Sequence, residues 1–258
     1  MAAPLKSFLN EAHRIVEASE VKGIPLRVIG AVAIRIHCPN FGHLQDALGR
    51  AFSDIDFVSY SRFGEDIKEI MKNLGYVYDE VMAKVFEVEF GHVKRMIFLD
   101  EENKRHCDVF FDKLEFSHDI PLEGRIEVDR PTIPLAELLL TKMQIVKINM
   151  KDLIDAAILL REHSVGETDR ETVNAKIVAG LCANDWGLWK TVTDNLRTLK
   201  DISPSLEALN ERDRADLAIK IDRLLGYIDR EPKSRKWKLR AAVGTRKKWY
   251  RDVEEVSR

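Results

Sequence analysis

The stretch from Arg50 to Ser59 constrains the fold of this chain more than any other segment, because it joins two acidic residues to an apolar, β-prone run. Asp54 and Asp56 are two positions apart. Side chains of a β-strand alternate between faces, so residues i and i+2 leave the same face roughly 6.5 to 7 Å apart. Both carboxylates would then share one face while Ile55 and Phe57 enter a core.

Two carboxylates directed at one place repel each other unless a cation lies between them. Hard oxygen ligands of this kind suit Mg²⁺ or Mn²⁺. The Asp-x-Asp pair therefore predicts a divalent-metal site. The alternative is a turn at Ser53 and Asp54 followed by an exposed strand residue at Asp56.

Two further segments have residue types that such a site needs. The apolar run 26–34 forms a short strand, then Gly30, then the start of a helix. A glycine there lets the backbone turn sharply and approach a phosphate at the helix N-terminus. The run 106–111 is another strand-like segment and contains Asp108 near its start. Gly, Asp-x-Asp and Asp thus follow one another on successive strands.

This order resembles the nucleotidyltransferase superfamily with the DNA polymerase β type of catalytic domain. The residues that match its motifs are Gly30, Ala31, Arg50, Ser53, Asp54, Asp56 and Asp108. The first motif of the superfamily is usually Gly-Gly or Gly-Ser, and this chain departs from it with Gly-Ala. The spacing from Gly30 to Asp54 is also long for the superfamily.

The segment Glu137–Lys142, followed by Lys151–Asp155, is similar to the branch named after the AbiEii/AbiGii toxins. In that branch a lysine and a Lys/Arg-Asp-x-x-Asp helix follow the catalytic sheet. The resemblance covers roughly residues 24 to 162. It implies a toxin–antitoxin or phage-defence context, with a cognate antitoxin protein as one partner.

The resemblance implies an enzyme that moves a nucleoside monophosphate from an NTP to an acceptor hydroxyl and releases pyrophosphate. The catalytic and metal-binding residues would be Asp54, Asp56 and Asp108, with Mg²⁺ or Mn²⁺ as cofactor and the NTP as substrate. The nucleotide-binding residues would be Gly30, Ala31, Arg50, Ser53, Lys142 and Asp152.

Simpler roles stay open for two of these residues. Lys142 lies on a mainly apolar face, where its ammonium group needs an anion. That anion is either a triphosphate oxygen or a structural carboxylate. Asp152 follows Asn149 by three positions, so it can instead complement the N-terminus of a helix that Asn149 caps and that ends near His163.

Two other functions also stay open. The Gly-Ala motif favours a non-catalytic module that keeps the fold and binds a partner, as an antitoxin or regulator does. A metal-dependent nuclease would need the carboxylates, but neither Gly30 nor a lysine that faces a triphosphate.

The order of predicted elements indicates an α+β fold. Helix, strand, helix and strand are followed by consecutive strands, including a hairpin formed by 84–90 and 93–99, which predicts a small mixed sheet flanked by helices. From Pro134 onward the pattern is helical. We therefore expect a nucleotidyltransferase core at 1–133 and a helical C-terminal region with a basic tail at 134–258.

The tail differs from the rest of the chain, whose net charge is only −2. The segment 233–251 has nine Lys or Arg residues, no acidic residue, and the aromatic residues Trp237, Trp249 and Tyr250. Basic groups neutralise phosphates and aromatic rings stack on bases, so the tail favours RNA, for example a tRNA 3′ end, over a protein hydroxyl or a small molecule such as an aminoglycoside as the acceptor. The alternative is that Trp237 and Trp249 dock the tail.

The remaining composition is ordinary. The three cysteines are scattered and imply no disulfide framework, so a reducing cytoplasm is the expected location. No basic-then-apolar signal pattern and no apolar run near 18 residues is present, and we expect no association with a membrane.

Overall fold

The structure is a computed structural model that describes residues 5–50, 52–84 and 95–252. It has an α+β fold, as predicted, with a small mixed sheet and many helices. The chain forms two compact units. The first comprises Met1–Ile36, Ala51–Leu114 and Pro121–Pro134, and the second comprises His37–Arg50, Glu115–Ile120 and Leu135–Arg258.

Two short segments before residue 134 thus belong to the second unit. Polar contacts within that unit explain why. The carboxylate of Glu162 accepts a hydrogen bond from the Phe41 backbone N–H at 2.8 Å. The side chain of Gln144 accepts one from the His118 backbone N–H at 2.9 Å.

The first unit is built on a five-stranded sheet in the order β1-β2-β5-β4-β3. Its strands are β1 Arg27–Ile29, β2 Asp54–Ser59, β3 Val77–Tyr78, β4 Arg95–Asp100 and β5 Arg105–Phe111. The β2–β5 pair is parallel and the other pairs are antiparallel. Residues 85–94 of the predicted hairpin lie outside the described residues, and its second strand is described from Arg95 onward, in β4.

Helices that accompany this sheet include α1 Leu5–Val21, α2 Gly30–His37 and α4 Gly64–Asn73, and α3 His43–Ala47 belongs to the second unit. The apolar face of α1 is buried at Phe8, Ala12, Ile15 and Val16.

The second unit is mainly helical. It contains α5 Leu135–Met143, α6 Met150–Glu162, α7 Ala175–Asn184, α8 Trp186–Ile202, α9 Glu211–Arg230 and α10 Arg235–Val243. Two short pairs of strands complete the chain: β6 Lys113–Glu115 with β7 Asp119–Pro121, and β8 Ser164–Gly166 with β9 Thr172–Asn174. None of the described helices combines the length and apolar character that a bilayer-spanning helix needs.

The predicted cap of α6 is confirmed, because the Asn149 side chain accepts a hydrogen bond from the Asp152 N–H at 3.1 Å. Ser203 followed by Pro204 is a typical signal for a helix start and predicts that the last long helix begins there, but this prediction is wrong. They begin a short 3₁₀ turn, and α9 begins after Asn210. Asn210 and Asp213 form a reciprocal capping box, which satisfies two backbone N–H groups and so sets the start of the helix.

Candidate functional site

The three predicted carboxylates lie on one face of the sheet in the first unit. Because β2 and β5 are parallel neighbours, Asp56 pairs directly with Asp108 and Asp54 pairs with His106. Paired residues of adjacent strands point to the same face, as do residues two apart. The intervening Ile55 is fully buried on the opposite face. The sheet register therefore brings together the two acidic motifs that the sequence separates by 52 positions.

Gly30 brings the backbone against this face. It lies directly after β1, where Ile29 pairs with Asp56, and it is the first residue of α2. Its φ of +73° is a conformation that residues with a Cβ rarely adopt, and an added Cβ would lie 2.8 Å from Oδ2 of Asp56. The site thus has room for the Asp56 carboxylate at the start of a helix only because residue 30 is a glycine. The partial positive charge of the helix N-terminus is favourable there.

The neighbouring predicted residues lie beside these elements. Ala31 is the second residue of α2, and Ser53 is exposed directly before β2.

Arg95 is a member of this site that sequence reasoning missed. It begins β4, and its Nη2 lies 3.7 Å from Oδ2 of Asp108, which is only 3% exposed. The guanidinium group also lies over the Phe110 ring, 5.6 Å from the centroid. A cation beside a buried carboxylate offsets part of its negative charge. The alternation of the predicted hairpin did not distinguish Arg95 from an exposed strand residue.

The carboxylates suit a divalent cation in donor type and in sharing a face, but they do not converge. In the part of the chain that the structure describes, no choice of one oxygen from each of Asp54, Asp56 and Asp108 places all three within 4.8 Å of one another. The i, i+2 spacing along β2 holds Asp54 and Asp56 apart at the backbone. Rotation of the side chains is the change that would bring their oxygens onto one ion.

The other predicted nucleotide-binding residues form a cluster of their own in the second unit. Lys142 Nζ lies 3.1 Å from Oδ1 of Asp152 and 3.0 Å from Oδ2 of Asp155. Asp155 is fully buried, and Arg50 Nε lies 3.4 Å from its Oδ2. Gln45 Nε2 donates a hydrogen bond to Asp155 Oδ1 at 2.8 Å.

The anions beside the Lys142 ammonium group are thus the carboxylates of Asp152 and Asp155. A structural carboxylate was the alternative to a triphosphate oxygen in the sequence analysis. Burial lowers the pKa of Lys142, but Asp155 and Asp152 outweigh the burial and raise it above its ordinary value. The lysine is therefore charged and sits between two carboxylates. Asp155 belongs to the predicted Lys/Arg-Asp-x-x-Asp motif but was given no binding role, and Gln45 was not predicted at all, because a partner that follows from chain folding leaves no local pattern in the sequence.

The aromatic residues of the basic tail pack within the second unit. The Trp237 ring lies 5.1 Å from the Trp189 ring, and the Trp249 ring lies 6.2 Å from the Trp186 ring. Trp249 Nε1 also donates a hydrogen bond to Thr191 Oγ1 at 3.3 Å. These contacts dock the tail on α8, which is the alternative to base stacking.

No protein-family model, no curated protein and no solved structure matches the chain.

Proposed function

We propose that the chain is a metal-dependent nucleotidyltransferase that moves a nucleoside monophosphate from an NTP to an acceptor hydroxyl. One observation carries the proposal. Asp56 and Asp108 are paired in register on parallel strands, with Asp54 on the same face and the positive-φ Gly30 packed against Asp56. Carboxylates beside a glycine at a helix start are the residue types that a bound nucleoside triphosphate and its cation need.

Asp54 and Asp56 would hold Mg²⁺ or Mn²⁺, which neutralises triphosphate charge and helps orient the phosphates when bound. Gly30 and Ala31 would present backbone N–H groups to phosphate oxygens. Asp108 would accept the proton of the acceptor hydroxyl. The acceptor oxygen then bonds to the α-phosphorus, the bond from that phosphorus to the bridging oxygen breaks, and pyrophosphate leaves.

The basic tail supports RNA as the acceptor through charge alone. Its tryptophans are packed against α8, whereas many of its cations are exposed: Arg235, Lys236, Lys238, Arg246, Lys247, Lys248 and Arg251. Exposed cations of this kind contact phosphates without reading sequence. We therefore propose recognition of an RNA backbone near its 3′ end.

The test is incubation with α-labelled and γ-labelled NTPs, Mg²⁺ or Mn²⁺, and separated RNA and protein fractions. We expect α-label to enter the RNA and γ-label to appear as pyrophosphate. Asp56→Asn should reduce the transfer by about 100-fold or more, because it removes one of the negative charges that would hold the divalent cation at the phosphates. Asp66→Asn, an exposed residue of α4, is the matched control and should transfer normally.

A second candidate is a non-catalytic module that keeps the fold and binds a partner such as an antitoxin. The observation that favours it is the Lys142 ammonium group, which lies between Asp152 and Asp155. Absence of label from every fraction, including added small-molecule alcohols, would contradict the enzyme and leave this second candidate. Label transfer that survives Asp56→Asn would instead overturn the assignment of the site.

A further inference from the structure

Three residues of the second unit that the proposed reaction does not use meet at the start of a small parallel sheet. The register of β8 and β9 places Ser164 opposite Thr172. The residues directly before these strands, His163 and Glu171, are therefore neighbours, and His163 Nδ1 lies 3.7 Å from Glu171 Oε2. Glu171 has a φ of +49°, an uncommon conformation for a residue with a Cβ.

His37, the last residue of α2, completes the group. Its ring centroid lies 5.8 Å from that of His163, and the two rings are nearly perpendicular at 81°. One ligand-type atom from each of His37, His163 and Glu171 lies within 4.8 Å of the other two. Within the described residues, this is the group of three His, Cys, Asp or Glu side chains whose possible ligand atoms lie this close to one another.

Two side chains at the end of α6 hold the loop that follows His37. The Glu162 carboxylate accepts hydrogen bonds from the backbone N–H groups of Asn40 and Phe41, at 3.2 and 2.8 Å. The Arg161 guanidinium group lies over the Phe41 ring at 4.3 Å. The approach of His37 to His163 is therefore part of the packing of the second unit.

The hydrogen bond of His163 determines which ring nitrogen can act as a ligand. Its Nε2 lies 3.0 Å from the His37 carbonyl oxygen, which only accepts, so Nε2 has the proton. In the neutral form of the ring the other nitrogen, Nδ1, has the lone pair that can bind a metal. Nδ1 and the Glu171 carboxylate are then two acceptors 3.7 Å apart, an arrangement that a cation stabilises.

We propose that His37, His163 and Glu171 bind one Zn²⁺ ion, with a fourth coordination position open to solvent. Two imidazoles and a carboxylate are ligands that zinc accepts, and a histidine ligand usually donates its other N–H to a carbonyl or carboxylate, as His163 does. Bonds of about 2.1 Å in a tetrahedron put ligand atoms roughly 3.4 Å apart, so small side-chain movements close the site. The Glu171 side chain is 75% exposed and leaves access for the ion.

This site differs in chemistry from the carboxylates of β2 and β5. Imidazole nitrogens favour zinc and other transition metals, whereas carboxylates alone favour Mg²⁺ and Mn²⁺. A bound ion would join the end of α2 to the starts of β8 and β9. Zn²⁺ is therefore expected to stabilise the second unit whether or not the chain transfers nucleotides.

The test is calorimetric titration of the full chain, freed of metal by a chelator, with ZnCl₂ alone. We expect one ion per chain and a higher midpoint of thermal unfolding. Glu171→Gln and His37→Asn should each weaken Zn²⁺ binding by about 100-fold or more, beyond the effect of losing an outer-shell partner. Glu171→Gln is the variant least able to unfold the chain, because its side chain is exposed.

Two control variants are His43→Asn and Cys38→Ser. His43 is an exposed histidine of the same unit, and Cys38 is the buried thiol next to His37. Both should bind Zn²⁺ as the wild type does. Co²⁺ substitution should give the visible absorption of a four-coordinate site, and Glu171→Gln should change it. Absence of Zn²⁺ binding, or binding that Glu171→Gln leaves unchanged, would overturn the proposal.

Discussion

At the scale of single residues, Gly30 shows how one position links backbone conformation to the candidate site. It combines a φ of +73° with a close approach to the Asp56 carboxylate. Gly23, in the same unit, has a φ of +70° but nothing within 4 Å of an added Cβ. A comparison of the two glycines therefore distinguishes the cost of a left-handed backbone from the effect of an added Cβ on the Asp56 carboxylate.

We expect Gly30→Ala and Gly23→Ala each to lower the free energy of unfolding by about 1 to 2 kcal/mol, because left-handed backbone is costly with a Cβ. Only Gly30→Ala should also displace the Asp56 carboxylate and weaken binding of Mg²⁺ and NTP. Calorimetric titration of both variants checks this. Equal ligand binding by the two would show that Asp56 has no place in the site.

The Lys142 cluster is a second arrangement that depends on single residues. Removing one partner of a buried ion pair leaves the other charge without compensation. Lys142→Met leaves Asp152 and Asp155 close together in the interior with Arg50 beside Asp155 alone, so we expect a loss of roughly 3 to 5 kcal/mol in the free energy of unfolding.

Lys200→Met is the matched control for this variant, because Lys200 pairs with Asp222 at the surface and its loss should cost at most about 1 kcal/mol. Urea unfolding followed by tryptophan fluorescence measures both variants. The signal reports the second unit, which contains all four tryptophans. A Lys142→Met variant as stable as the control would contradict the described network.

At the scale of secondary-structure elements, α8 is the surface on which the tail docks. Gly187 lies in its first turn, and an added Cβ there would lie 2.5 Å from the Trp249 carbonyl oxygen. That atom belongs to the backbone, so the clash cannot be relieved by a side-chain rotation. The close approach of helix and tail thus depends on this glycine.

We expect Gly187→Ala to displace the tail around Trp249 and to cost about 1 to 3 kcal/mol, as overpacking does. Trypsin should cleave faster after Lys247 and Lys248. Gly180→Ala, on α7, is the control, because an added Cβ meets nothing within 4 Å and alanine favours a helix. Unchanged proteolysis of Gly187→Ala would rule out this docking.

At the scale of the whole molecule, the buried side chain of His118 is expected to make the free energy of unfolding depend on pH. Burial is the main cause that lowers the pKa of His118 to about 4. Its Nε2 lies 2.8 Å from Thr191 Oγ1, a contact that the neutral ring makes without desolvating a charge. His118 of the unfolded chain takes up a proton as the pH falls below an ordinary histidine pKa of about 6.5. In the folded chain His118 does so only near pH 4.

The stability due to neutral His118 is therefore fully present above about pH 6.5 and is lost as the pH falls towards 4. The loss amounts to roughly 3 kcal/mol at about 1.4 kcal/mol per pKa unit. We expect His118→Gln, which cannot titrate, to flatten the dependence of the unfolding free energy on pH in this range. An identical acid slope in the variant would show that other groups cause it.

Local sequence patterns by themselves determined the main elements of the fold. The strand-like runs that contain Asp54 and Asp108 form β2 and β5 in the structure, and the Asn149 cap starts α6. The alternation of apolar and polar residues, the positions of glycines and the helix caps each depend on a few neighbouring residues. One short segment therefore contains all the information that such a prediction needs. The start of α9 was missed because Asn210 and Asp213 satisfy the helix end better than Ser203 and Pro204.

Only the tertiary structure decided which side chains meet. Arg95 with Asp108, Lys142 with Asp155, and His37 with His163 and Glu171 are contacts that no local pattern predicted. His37 and His163 lie 126 positions apart. Such pairs depend on strand register and on the packing of distant helices, which are set by the free energy of the whole fold and not by the residues next to them.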